Sequence, residues 1–163
     1  MSHYMNDNGL SSNVRGMRRP YTLRPATDAD YDFLYKLHVA AIRPAVEATW
    51  GWDDAFQQEL FRSRWNPAET QIIVIEEEVG VFKLDEQDGS VFISLIEIHP
   101  DHQNCGLGTT IVQDILTKAH QRSLPVLLHV LKANEDALRL YERLGFEIIE
   151  EREERYVMQK AYT

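Results

Sequence analysis

Apolar residues change their spacing several times along the chain, and each change marks an element. Residues 1–19 are polar, rich in Asn and Ser and without period, and read as a flexible leader in which Met17 is an alternative start. From Tyr21 the pattern becomes regular. Residues 21–24 read as a short strand, and Thr27 with Asp30 three places on forms a capping-box variant that opens a helix. Phe33, Leu34, Leu37, Ala41 and Ile42 give this helix its apolar face, and Pro44 is expected to end it. A second helix is predicted from near Asp53 to near Trp65, with Phe56, Leu60 and Phe61 on one side and Pro67 beyond its end.

The middle of the chain reads as sheet. Residues 71–75, 80–84 and 91–99 are rich in Val, Ile and Phe, and Asp88-Gly89 marks a hairpin turn before the third run. Leu107, Ile111, Val112, Ile115, Leu116 and Ala119 then recur at helical spacing, which predicts a helix over residues 109–121. Lys118, His120 and Arg122 fall near its C-terminal end, where cations are favoured. Residues 126–131 follow as a strand. Asn134 reads as the N-cap of a last helix with Ala137, Leu138, Tyr141 and Leu144 on its buried face and Gly145 as its stop. Residues 146–149 and 156–159 close the sheet, and no internal repeat interrupts the succession.

Composition narrows the class. A chain of 163 residues with 44% apolar content is long enough for one sizeable core and too short for two, so one domain is expected over residues 20–163. No apolar run approaches the roughly 20 residues that span a bilayer, and the first twenty lack a signal core, so neither membrane insertion nor secretion is indicated. The single cysteine, Cys105, excludes an internal disulfide and fits the reducing cytoplasm, the expected compartment. A net charge of -9 argues against a nucleic-acid surface and fits either a cationic partner or simple solubility.

The candidate chemistry begins at Gln103-Asn104-Cys105-Gly106-Leu107-Gly108, which lies between a predicted strand and a predicted helix. A chain leaving a strand through small residues can turn successive N–H groups toward one point, and the next helix adds its unpaired donors, so an anion is expected there. A mononucleotide P-loop is excluded, because Gly108 is followed by Thr109-Thr110 instead of Lys-Ser/Thr. A dinucleotide fingerprint is excluded too, because Ile111 stands where a small residue must let helix and strand pack closely. Neither alternative explains the second half of the constellation, in which Asn134 opens a helix and Tyr141 lies about two turns further along nearly the same face.

These two segments resemble the GNAT superfamily of acetyl-CoA-dependent N-acetyltransferases. Gln103-x-x-Gly106-x-Gly108 is similar to the family's pyrophosphate loop, and Asn134-x-x-Ala137-x-x-x-Tyr141-x-x-x-Gly145-Phe146 to its second cofactor motif. Asn104 and Cys105 depart from the basic or small residues frequent in that loop, which leaves phosphate binding to backbone donors. The resemblance implies an α/β fold with a mixed, largely antiparallel central sheet flanked by helices and splayed at its central strands. It implies that acetyl-CoA is the acetyl donor. Its arm would bond the main chain of Ile96, Glu97 and Ile98 like an added strand, its pyrophosphate would lie on Gln103, Asn104, Cys105, Gly106, Leu107, Gly108 and Thr109, and Asn134 would sit near the thioester.

The implied reaction is attack of a primary amine on the thioester in a ternary complex. Such an amine is mostly protonated at neutral pH and needs a base. The oxyanion needs an N–H, expected near Ile98, and the departing thiolate needs a proton, the role assigned to Tyr141. Tyr141 also reads as a core aromatic. Glu97 and His129 are the candidate bases, and each has a second reading, Glu97 as a polar residue at the sheet opening and His129 as a hydrogen-bonded core histidine, with a water chain as a replacement for both. Glu47, Trp50 and Trp52 are expected in a connecting segment over which the acceptor enters, or else as a pin between two helices. The acceptor is a small-molecule amine or a protein N-terminal or lysine amine, and monomer and homodimer both remain open. His99-x-x-His102 beside Asp101 lacks further ligands at supporting spacing, so no metal is assigned. A non-catalytic acyl-CoA-binding regulatory or sensor module is the competing class.

Overall fold

The computed structural model of the chain describes residues 20–162; the leader expected over residues 1–19 lies outside them. Their sheet runs, in spatial order, β1 (Thr22–Pro25), β2 (Thr70–Ile75), β3 (Glu77–Gln87), β4 (Ser90–Ile98), β5 (Val126–Leu131), β7 (Arg155–Lys160) and β6 (Glu147–Glu151). Every neighbouring pair is antiparallel except β4 and β5, which run parallel. A parallel pair needs a crossover, and α3 (Leu107–Gln121) supplies it. The helices α1 (Tyr31–Trp50) and α2 (Asp54–Ser63) lie between β1 and β2 in sequence, and α4 (Glu135–Arg143) lies between β5 and β6.

Alternation along the strands divides the core into two layers. Ile73, Phe82, Ile93, Val126, Leu128 and Met158 pack with Leu107, Ile111, Ile115 and Tyr141 from α3 and α4. Their neighbours Ile72 and Val81 turn the other way and meet Leu34 and Leu37 of α1, with Phe61 and Trp65 at the margin. Each fully buried Leu or Ile contributes about 1.5–3 kcal/mol, so both faces are covered by helices.

Local signals account for most of the boundaries. Thr27 and Asp30 make the reciprocal cap at the entry to α1, and Asp88 (φ 51°) with Gly89 (φ 76°) has the two positive φ angles that a type I′ hairpin requires. One expectation is corrected: Pro44 does not end the first helix, which continues to Trp50. Proline removes one N–H and crowds the preceding turn, at a cost of about 3 kcal/mol. Ala45 and Val46 are buried just beyond it, and their packing holds the following turns in place.

The sheet opens between β4 and β5, as the resemblance implied. Their pairing covers Val91↔Val126, Phe92↔Leu127 and Ile93↔Leu128 and stops there. Against β3, Lys83 faces Leu95 and Leu84 faces Ile93, so Ser94 is an extra residue, a β-bulge. A bulge bends its strand and raises the local twist. It also resets the alternation. Val91 and Ile93 face α3, whereas beyond the bulge Ile96 and Ile98 do so and Leu95 turns toward α1. No helix among the described residues is long and apolar enough to cross a membrane.

Candidate active site

Beyond Ile93, the β5 side of β4 has no strand partner among the described residues. The main chain of Ile96, Glu97 and Ile98 therefore lines the opening. Gln103 Nε2 donates to the Ile98 carbonyl at 2.8 Å and ties the following loop to the end of the strand. Asn104 (φ 60°) and Gly106 (φ 86°) take left-handed conformations, and Gly106 is the N-cap of α3. The first bond of that helix runs from the Thr110 N–H to the Gly106 carbonyl at 3.0 Å. The amides of Leu107, Gly108 and Thr109 precede it and have no acceptor within the helix. Cys105 is exposed, and its thiol donates to the His102 carbonyl at 2.8 Å. Residues 103–109 thus form one turn at a helix N-terminus, an arrangement that suits an anion.

The second segment packs beside this turn. Asn134 caps α4 by accepting the Ala137 N–H at 3.3 Å. A Cβ on Gly108 would lie 3.6 Å from the Leu140 side chain, so α4 passes close to the first turn of α3. Tyr141, next to Leu140, is buried with Leu107 in the larger core, its ring edge-on to Phe146 at 5.6 Å. Its hydroxyl has no hydrogen-bond partner among the described residues. Burial pushes the phenol up to about 12, so it stays protonated at neutral pH and can donate a proton.

On the other face, α1, α2 and strands β2 to β4 enclose a cavity of about 600 Å³. Leu34, Phe61, Trp65 and Leu95 supply apolar wall, and Arg64, Glu69 and Lys83 supply charge. Glu97 also lines it and is only 5% exposed. One carboxylate oxygen, Oε2, lies 2.7 Å from Nδ1 of His38, and the other, Oε1, is buried with no partner among the described residues. A carboxylate only accepts, so Nδ1 carries the hydrogen whenever Glu97 is ionised. The His38 ring rests 5.2 Å from Phe61, and Phe61 is in turn held edge-on by Tyr31 and Tyr35.

His129 occupies the opposite lip of the opening. It follows Leu128, the last residue of β5 paired to β4, and since Leu128 and Val130 face α3, its side chain turns toward the α1 face. It is exposed there, edge-on to Phe92 at 5.1 Å. Partial burial, with Arg152 and Arg155 nearby, lowers its pKa and favours the neutral ring. It does not line the cavity that holds Glu97.

Glu47, Trp50 and Trp52 lie apart from this cavity. Because α1 runs through Pro44, Glu47 and Trp50 lie within the helix. Glu47 is 3.6 Å from Arg43, Arg43 covers the Trp52 ring at 5.1 Å, and Trp52 Nε1 donates to Asp54 at 2.6 Å. Trp50 is 56% exposed, with Arg155 at 6.0 Å. None of the three lines the cavity, and Trp50 stands about 18 Å along the helix axis from His38. His38 itself was passed over in the sequence. Its signal was its spacing, four residues after Leu34 and therefore on the stripe that the helix buries. His99 and His102 face Asp101 and Glu77 at 3.7 and 3.8 Å, and no three potential ligands converge on a metal position among the described residues.

An opened sheet with a helix-capping loop at its mouth defines the class. The chain belongs to the GNAT acetyltransferase family, whose model, described as Acetyltransferase (GNAT) family, matches residues 32–146. Among solved structures, it is similar to the PaiA N-acetyltransferase of Thermoplasma acidophilum in complex with coenzyme A. That likeness has a TM-score of 0.71 at 12% identity and covers 87% of this chain and 99% of that one. It is also similar to the ribosomal-protein-S18-alanine N-acetyltransferase of Escherichia coli, at TM-score 0.63 and 17% identity, over 88% of this chain and 94% of that one. Arabidopsis thaliana Naa50, in complex with the bisubstrate analogue CoA-Ac-MVNAL, matches at TM-score 0.56 and 20% identity, over 86% and 98% of the two chains. At such identities the likeness establishes the fold.

Proposed function

We propose that this protein transfers the acetyl group of acetyl-CoA to a primary amine by direct attack in a ternary complex. The observation that carries this reading is the Glu97 carboxylate, which lies on the lip of the opened sheet with one buried oxygen lacking a partner and a cavity beside it. An ammonium group entering that cavity meets the opposite charge of this carboxylate, and Glu97 then takes its proton. The residues around the opening fit the donor. Backbone amides over residues 103–109 would hold the pyrophosphate, the free edge of Ile96 to Ile98 would take the pantetheine arm, and Asn134 would lie near the thioester. Tyr141, kept protonated by burial, would give the thiolate its proton.

The acceptor belongs in the cavity and not over Glu47, Trp50 and Trp52. Phe61 and Trp65 supply ring faces, and Glu97 supplies opposite charge. Coenzyme A accompanies one of the similar structures, and a CoA–peptide analogue another. A small-molecule amine and a protein N-terminal or lysine amine both suit this pocket.

The test is thiol release from acetyl-CoA against a panel of amines, with wild type, Glu97→Gln and His129→Ala. At least one amine should be turned over, Glu97→Gln should lose about 10²- to 10⁴-fold in kcat, and His129→Ala should keep its pH profile. Coenzyme A binding in calorimetry without thiol release from any amine would leave the sensor module as the better account. No binding at all would remove both.

A further inference from the structure

We propose that His38 is the positioning residue of the base: it pins one oxygen of Glu97 and so fixes the carboxylate beside the acceptor cavity. The inference rests on the acetyl-transfer reading and adds to it a residue that neither motif contains. The two side chains are 59 residues apart in sequence and meet at 2.7 Å. Glu97 keeps only 4% of its side-chain surface and His38 keeps 18%, and both line the cavity.

The reaction requires such a partner. Turning an ammonium and a thioester into an amide and a thiol forms one C–N bond, breaks one C–S bond and removes two protons from nitrogen. One proton ends on the thiol. The other is taken by the Glu97 carboxylate and released to solvent once the product leaves. A carboxylate held by a single bond to Oε2 presents Oε1 in a fixed direction, which is the condition for efficient proton transfer. The other charged groups around the cavity are Arg64 beyond α2, Glu69 before β2 and Lys83 on β3, and none forms an ion pair with His38 among the described residues.

The experiment compares kcat and KM for wild type, His38→Asn and His38→Leu, using thiol release with an amine that wild type accepts. His38→Leu should lose about a hundredfold in kcat with little change in KM. His38→Asn places an amide N–H near the position of Nδ1, so it should recover much of that loss. A histidine that only fills space would be replaced as well by Leu as by Asn. Equal kcat in the two variants would overturn the proposal and leave acetyl transfer standing, whereas a wild type that releases no thiol removes both. Nitrogen-edited NMR on the full chain gives a second readout. A hydrogen-bonded Nδ1 proton of His38 should be visible and should be lost in Glu97→Ala, and its absence from wild type would overturn the proposal whatever the kinetics.

Discussion

Adding one methyl group at Gly80 tests whether the packing of the sheet sets the position of Glu97. Gly80 is paired with Ile73 on β2 and Ile98 on β4. A Cβ there would stand 2.7 Å from the Glu97 carbonyl oxygen, 3.0 Å from Ile98 Cδ1 and 3.1 Å from Ile73 Cδ1. The isoleucine tips can yield by rotation, but the carbonyl belongs to the main chain. A carbon–oxygen contact relaxes near 3.3 Å, so Gly80→Ala requires β3 and β4 to part by about half an ångström at Glu97. Overpacking of this kind costs about 1–3 kcal/mol. For a chain of this length, that lowers Tm by roughly 4–8 °C at the middle of the range. The same movement shifts the carboxylate against His38. Since a displacement of about 1 Å can cost about a hundredfold, half of that predicts about a tenfold loss in kcat. Thermal unfolding followed by circular dichroism, together with thiol release, checks both numbers. A wild-type Tm would show that β4 does not press on Gly80. A lowered Tm with wild-type kcat would show that turnover does not depend on where the Glu97 main chain sits.

Tyr141→Phe should bind coenzyme A as wild type does, fold at least as stably because the lost hydroxyl has no partner among the described residues, and lose about 10²-fold in kcat; unchanged turnover would remove Tyr141 as the proton donor. Burial holds its phenol at about 12, above the ordinary value near 10, so between those values the unfolded chain loses a proton that the native chain keeps. Native stability should thus decline by on the order of 3 kcal/mol as pH rises through that window, and Tyr141→Phe should flatten the decline in urea titrations. At Gly106, φ is 86° and an added Cβ would meet nothing within 4 Å, so Gly106→Ala costs only the left-handed backbone, about 1–2 kcal/mol. Calorimetry should show coenzyme A binding weakened by about tenfold, and an unchanged Kd would mean that the loop does not hold the donor. Asp30 accepts two hydrogen bonds from Arg24 at 2.8 and 2.9 Å, and Arg24 lowers its pKa to about 2. This contribution is complete above about pH 4 and disappears as pH falls toward about 2. Asp30→Asn should cost about 1 kcal/mol at neutral pH and reduce the acid sensitivity of chemical unfolding over that interval.

What the amino-acid order determined by itself is what neighbours within a turn or a strand can enforce. Asn134 caps α4, Gly106 takes the left-handed angle that begins α3, Asp88-Gly89 turns the hairpin, and the apolar spacing from Leu107 to Ala119 names the face that α3 buries. These features suffice for the family and for the loop expected to take the donor. Pro44 was misread because a local rule was applied where burial of Ala45 and Val46 prevails. Tertiary structure alone decided the cavity proposed for the acceptor. Without the extra residue at Ser94, strict alternation from Val91 and Ile93 would send Glu97 toward α3, away from His38. No composition signal marks a bulge, because it arises from how β4 must register against β3. The pairing of two side chains 59 residues apart depends on that register and on the face that α1 presents to the sheet, and both are settled only when the helices and strands pack together.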